Sequence, residues 1–155
     1  MSERECRQVD WYEQGIRDGA YGYDSGRVIS HTEACGKLGI VPDRKAYFDG
    51  REQGLRRYCT AESGYNAGRY GRHYAGVCVG RGEPEFLNGY QQGRQRAVLE
   101  DDRDRLDREI TSLEKQLKQV GSENDRNLLR RRIILREEER IRIDRAIRMD
   151  HGWRP

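Results

Sequence analysis

One short phrase recurs through the first ninety-odd residues and restricts the fold more than anything else in the chain. It reads aromatic residue, two or three positions, glycine, three positions, glycine. The clear copies are Trp11-Tyr12-Glu13-Gln14-Gly15-Ile16-Arg17-Asp18-Gly19, Tyr47-Phe48-Asp49-Gly50-Arg51-Glu52-Gln53-Gly54 and Phe86-Leu87-Asn88-Gly89-Tyr90-Gln91-Gln92-Gly93. A looser copy is Gly64-Tyr65-Asn66-Ala67-Gly68-Arg69-Tyr70-Gly71. Residues three, four and seven apart share one face of a helix, so the aromatic and both glycines of each copy line one stripe. A helical glycine costs about 1 kcal/mol relative to alanine. Bearing that cost repeatedly on one face implies close backbone approach between helices, with an aromatic ring from one covering the glycine of another. Gly15, Gly19, Gly50, Gly54, Gly68, Gly89 and Gly93 are therefore read as helix-packing glycines rather than loop residues.

Boundary signals agree with an all-α fold. Ser30-His31-Thr32-Glu33 has capping-box spacing, and Gly39 followed by Pro42 stops that helix. Asp43 is placed to cap the next, running to about Arg57, and Pro84 suits a first helical turn. Gly22–Gly26 and Gly80–Gly82 read as turns, which gives roughly five helices, several of them short.

The last of these helices has no stop signal between Pro84 and Gln119, a run of 36 residues or roughly 54 Å. From Leu99 it carries heptads: Leu99, Leu106, Leu113 and Val120 fall seven apart, Ile110 and Leu117 fill the alternate seam, and Arg103 takes one seam position with its stem. Gly121-Ser122-Glu123-Asn124-Asp125 reads as stop, turn and fresh N-cap. A second arm follows, with Leu128, Leu129, Ile133, Ile134, Ile141 and Ile147 on a less regular stripe. The expectation is a Gly/Tyr-rich helical domain over residues 5–96 and an antiparallel coiled-coil hairpin over 97–150. The hairpin's first arm continues the domain's last helix.

Composition fits such a division. Charged residues make up 37% and hydrophobic ones 34%, against about 25% and 45–50% in ordinary soluble domains. No stretch approaches the roughly 20 apolar residues of a membrane span. Residues 1–99 hold 15 Lys/Arg against 13 Asp/Glu, and residues 100–150 hold 14 of each. Neither half has the basic balance of a nucleic-acid binder, so no nucleic acid is expected as partner. Cys6, Cys35, Cys59 and Cys78 all lie in the first half, with no C-x-x-C pair. Their even number and dispersed spacing favour two disulfides and an oxidising compartment. Of the three pairings, Cys6–Cys35 with Cys59–Cys78 is the one adopted.

The chemical constellations point away from catalysis. His31 and Cys35 are four apart and His73 lies five before Cys78, so a small zinc protein or enzyme on these residues is one alternative. Their spacing matches no common zinc module, and no metal or other cofactor is expected. His31, Cys35 and Asp43 lack a strained nucleophile turn or oxyanion hole around them, and Asp18 and Asp24 read as helix-surface or turn carboxylates. The chain is read as no enzyme. Six Gly-Arg steps, at Arg27, Arg51, Arg69, Arg72, Arg81 and Arg94, together with tyrosines, form the basis of a second alternative, RNA binding by stacking and phosphate contacts. Interleaved acids argue against it. Any partner-binding site in the small domain is expected at exposed aromatics and arginines such as Tyr21, Tyr23, Tyr70 and Arg72.

The order of motifs, Cys6 to Trp11, Gly15–Gly19, His31 and Cys35, Asp43, Tyr47, Gly50-Arg51, Gly54-Leu55, Tyr58-Cys59, Gly64-Tyr65, Tyr74 to Cys78 and Tyr90 to Gly93, resembles an uncharacterised family of short Gram-negative envelope lipoproteins. The resemblance covers residues 5–96. It implies a periplasmic protein tethered to the outer membrane in its precursor. This chain opens Met1-Ser2-Glu3 without a lipoprotein signal, so membrane contact is expected only through an anchor it does not carry. The function expected is that of a non-enzymatic scaffold or adaptor. Its partners would be an envelope protein or peptidoglycan, with self-association through the hairpin seam.

Overall fold

The computed structural model describes residues 1–150, and these are all-helical. The elements are α1 (Glu3–Gln8), α2 (Trp11–Tyr21), α3 (Arg27–Gly36), α4 (Arg44–Tyr58), α5 (Ala61–Arg69), α6 (Glu83–Gln119) and α7 (Glu123–Met149). Among the described residues no helix is long and apolar enough to cross a membrane. The chain divides into two compact units, Met1–Gly93 and Arg94 onward.

Local signals start most of these helices. Ser2 and Glu5 form a capping box on α1. The Asp10 carboxylate accepts from the backbone N–H groups of Tyr12 and Glu13, Asp43 from Ala46, and the Thr60 hydroxyl from Ser63. The expected cap at Ser30 is not one. Helix α3 begins four residues earlier, after Gly26, and Ser30 lies inside it. Helix α1 adds to the expected set, since six residues are too few to show periodicity.

The first unit is built on two helix crossings in which backbone meets backbone. In the α2/α4 pair, a methyl added at Gly15 would stand 2.0 Å from the Tyr47 carbonyl oxygen, and one at Gly50 equally 2.0 Å from that of Tyr12. Gly19 faces the Arg51 carbonyl and Gly54 that of Ile16. The contacts are reciprocal, each first glycine resting on the peptide three residues before its partner's glycine. The α5/α6 pair repeats the rule: Gly64 rests on Phe86, Gly89 on Ala61 and Gly93 on Tyr65. A carbonyl so close to a Cα admits weak C–H···O bonding and excludes any side chain. The glycines are thus covered by carbonyls, not by the aromatic rings expected over them. Gly68 is buried in α5 as expected. Gly64, left out of the expected packing set, belongs in it, while Gly71 lies beyond α5 in a left-handed turn.

Two disulfides, Cys6–Cys35 and Cys59–Cys78, close loops of 29 and 19 residues. Loop-closure entropy makes each worth about 3–4 kcal/mol. The second sits in the core with Leu55, Tyr58, Ala67 and Phe86, against which Tyr74, Val77 and Tyr90 pack.

The second unit is an antiparallel hairpin. Leu106 and Leu113 of α6 and Leu129, Ile133 and Ile147 of α7 are buried. Ile110, Leu117 and Val120 pack partly buried against the Leu113, Leu129 and Ile133 cluster, and Leu99 is half-buried. Arg136 bonds Glu109 at 3.0 Å, Arg140 bonds Asp107 at 3.2 Å, and Arg96 donates to the Ile147 carbonyl. These partners recede together from the turn, so the arms close on each other within one chain. Leu128, Ile134 and Ile141 do not join the seam as expected; all three are exposed.

Candidate ligand-binding cleft

Two groups of polar and aromatic side chains gather in the first unit, one sealed and one open. The sealed group centres on Asp18, which is only 4% exposed and is therefore no surface carboxylate. Its Oδ2 lies 2.7 Å from His31 Nε2 and accepts the Tyr47 hydroxyl at 2.7 Å, while Oδ1 accepts from Gln14 at 2.9 Å. Burial and the Asp18 carboxylate both hold the Tyr47 phenol well above the usual tyrosine range. The network ties α2, α3 and α4 together behind the Trp11 ring, whose centroid is 6.3 Å from that of His31. A buried carboxylate must be hydrogen-bonded, and this one is satisfied three times over. Nothing can approach it, so it serves packing.

Most residues named for the zinc and nucleophile alternatives have other partners here. Cys35 and Cys78 are oxidised, His31 is engaged by Asp18, and Asp43 caps α4. Among the described residues no three His, Cys, Asp or Glu side chains are grouped to hold a metal.

The open group is a cleft of about 400 Å³ lined by Tyr21, Gly22, Tyr23, Asp24, Tyr58, Arg72, His73 and Ala75. Three segments build it. Helix α2 ends at Gly22, whose φ of 76° gives the left-handed C-terminal turn that swings Tyr23 and Asp24 to one side. Helix α4 supplies Tyr58 at its last turn. The loop after α5, closed by Cys59–Cys78, supplies Arg72 and His73, with the Tyr90 hydroxyl donating to the Arg72 carbonyl at 2.7 Å. Gly22 is required twice over: beyond its φ, a methyl there would meet the Tyr58 ring at 2.2 Å.

The rims are aromatic and cationic. Tyr21 and Tyr23 stack at 5.7 Å with an 8° interplanar angle, and the Arg27 guanidinium covers the Tyr23 ring at 4.6 Å. Arg51 donates to the Tyr23 carbonyl at 2.6 Å, and Asp24 accepts from the Gly26 N–H at 2.6 Å, so the turn is held from both sides.

The floor carries the informative atom. The Tyr58 ring is 6% exposed, and its hydroxyl, open to the cleft, makes no hydrogen bond among the described residues. Burial raises the phenol above its ordinary value, and the Arg72 guanidinium pulls it back down. Arg72 itself has no carboxylate partner among the described residues. A donor and a cation thus face one concavity with no partner for either among the described residues.

Of the four residues expected to bind a partner, the fold brings Tyr21, Tyr23 and Arg72 into this cleft. Tyr70 lies outside its lining, exposed beneath the Arg69 guanidinium at 5.7 Å. Tyr58 and His73 join the site without a sequence signal that singles them out for it. Of the other Gly-Arg positions, Arg81 pairs with Glu52 at 2.6 Å, while Arg27 and Arg51 hold the Tyr23 turn at the rim of the cleft.

Over residues 10–95 the sequence matches a family described as a protein of unknown function, DUF2799. No curated protein and no solved structure matches the chain.

Proposed function

Since the chain belongs to the DUF2799 family, whose function is unknown, we propose a role from the geometry: a non-enzymatic binding module of the Gram-negative envelope. Its site is the Tyr21–Tyr23–Tyr58–Arg72 cleft, and its ligand carries an acidic group on a flat or apolar body. The Tyr58 hydroxyl and Arg72, which line one cleft and have no hydrogen-bond or carboxylate partner there among the described residues, carry this reading. A carboxylate can accept from both at once, replacing their hydration with charge-assisted bonds. The tyrosine rims offer face area for sugar rings or a peptide chain. Peptidoglycan, with sugar rings and peptide carboxylates on one polymer, meets both requirements.

The two disulfides support an oxidising compartment, and the motif resemblance supports the periplasm, with an outer-membrane tether in the precursor. The hairpin serves as an adaptor arm for an envelope partner.

Binding is tested by titrating soluble peptidoglycan fragments with free peptide carboxylates against the oxidised protein. Tyr58→Phe and Arg72→Ala should each weaken binding about tenfold or more, the worth of one charge-assisted bond. Unchanged affinity in both variants would reject the cleft. RNA retention that falls steeply with salt would favour the alternative of nucleic-acid binding. Intact mass after alkylation, on protein recovered from the periplasm, should show no free thiol. Four labelled cysteines would reject the compartment.

A further inference from the structure

Helix α7 carries a second apolar face that its hairpin partner does not cover. Leu129, Ile133 and Ile147 are buried in the seam, whereas Leu128 is 58% and Leu135 61% exposed, with Ile134 and Ile141 also open. At 100° per residue these four fall on the side of the helix away from the seam, in two rows. Leu128 and Leu135 form one row and Ile134 and Ile141 the other, with Arg131 and Glu138 between the rows. Neither Arg131 nor Glu138 has a hydrogen bond or ion pair among the described residues, although Arg130, Arg136, Glu139 and Arg140 of the same helix are paired.

We infer that this outer face of α7 binds the same face of a second copy, antiparallel, about a two-fold axis passing between Ile134 and Leu135. Antiparallel pairing about that axis sets Ile134 of each chain level with Leu135 of the other, and Leu128 with Ile141. It also brings Arg131 of each chain level with Glu138 of the other, so both unpaired charges find opposite partners symmetrically. Parallel pairing would oppose Arg131 to Arg131 and Glu138 to Glu138, which costs free energy on both sides of the axis. A self-complementary patch of this kind is what an isologous dimer needs. The seam itself is not available for the purpose, because its leucines and isoleucines already satisfy one another within the chain. The patch from Leu128 to Ile141 is about 20 Å long, below the size of a permanent interface, so the dimer is concentration-dependent. Arg131 and Glu138 offset each other within it, so it offers an anionic lipid surface no net positive charge.

Sedimentation equilibrium of the full oxidised chain, up to on the order of 100 µM, tests this. A reversible monomer–dimer equilibrium is expected. Leu135→Glu should raise the dissociation constant at least roughly tenfold, as should Arg131→Glu, by placing acids face to face. Both residues are exposed, so circular dichroism should show folding unchanged. The charge exchange Arg131→Glu with Glu138→Arg should restore dimerisation. Tyr58→Phe should leave it untouched, which separates this inference from the ligand site. A wild-type chain that stays monomeric overturns the proposal. So does a dimer indifferent to Leu135→Glu, or failure of the exchange to rescue. Binding of the monomer to anionic vesicles through Leu135 would overturn it in favour of a membrane surface.

Discussion

The two units hold helices together by opposite means. Where α2 meets α4, the side chains have been removed and the backbones touch, with Gly15 and Gly50 each resting on a carbonyl of the other helix. Where α6 meets α7, Leu113, Leu129 and Ile133 fill the space between the helices with side chains. The first arrangement gains little from apolar burial. It gains from dispersion and C–H···O contact over a short distance, and it leaves the outer faces free for charge. Together with the core around Leu55 and Phe86 and two disulfides, that is how a chain with 34% hydrophobic residues still builds a compact unit. The second arrangement relies on the ordinary transfer free energy of leucine and isoleucine. Two helical regions of one chain therefore have different tolerances. One is intolerant of any added atom, the other of any removed one.

The sharpest way to break that contrast is to add one methyl group. Gly50→Ala places a Cβ 2.0 Å from the Tyr12 carbonyl oxygen, and backbone cannot rotate aside as a side chain can. The gain of about 1 kcal/mol in helix propensity is outweighed by separation of the helices. A net loss of at least ~3 kcal/mol is expected. Hydrogen exchange would register it across α2, α3 and α4, because the Asp18–His31–Tyr47 network spans all three. Exchange in that region indistinguishable from wild type would show that the contact is not required.

The glycine stripes are legible in the sequence because helical spacing survives whatever residues surround it: loops do not repeat glycine at i and i+4 behind an aromatic. What covers them is not legible, since a carbonyl leaves no mark on its own residue type. Gly64 escapes the pattern because Ala61 stands where the other copies have an aromatic, although its carbonyl meets Gly89 just as those of Tyr12 and Tyr47 meet Gly50 and Gly15. In sequence, Asp18 resembles any surface carboxylate on an amphipathic helix. Its burial depends on His31 and Tyr47, thirteen and twenty-nine residues away. Tyr58 is hidden among nine tyrosines, and only the fold distinguishes it as a buried ring whose hydroxyl has no hydrogen-bond partner among the described residues. On α7, periodicity assigns Leu128, Ile134 and Ile141 to the seam because counting apolar residues cannot say which of two faces a partner covers. The same ambiguity conceals the outer face.

Subtracting atoms from the other unit gives the converse measurement. Leu113→Ala empties a position 2% exposed between Leu129 and Ile133. Loss of contacts plus the cavity should cost about 2–3 kcal/mol, with faster exchange in the hairpin arms. Gly50→Ala and Leu113→Ala act in separate compact units, and the residues packed around one are not those packed around the other. Their costs should therefore add in the double variant.

The smallest effect is the most discriminating, because it asks whether glycine matters for its place or merely for its presence. Gly36 lies in the last turn of α3, its φ is not positive, and a methyl there would have nothing within 4 Å. If the intolerance of the first unit comes from backbone contact at the crossings, Gly36→Ala should be free of it. The substitution then acts only through helix propensity and the entropy of the unfolded chain, and should stabilise by about 0.5–1 kcal/mol. Thermal unfolding of the oxidised protein would show a small rise in Tm. A fall instead would mean that α3, held by Cys6–Cys35 at its end, is packed more tightly than its open surroundings indicate, and the contrast between crossing and non-crossing glycines would not hold.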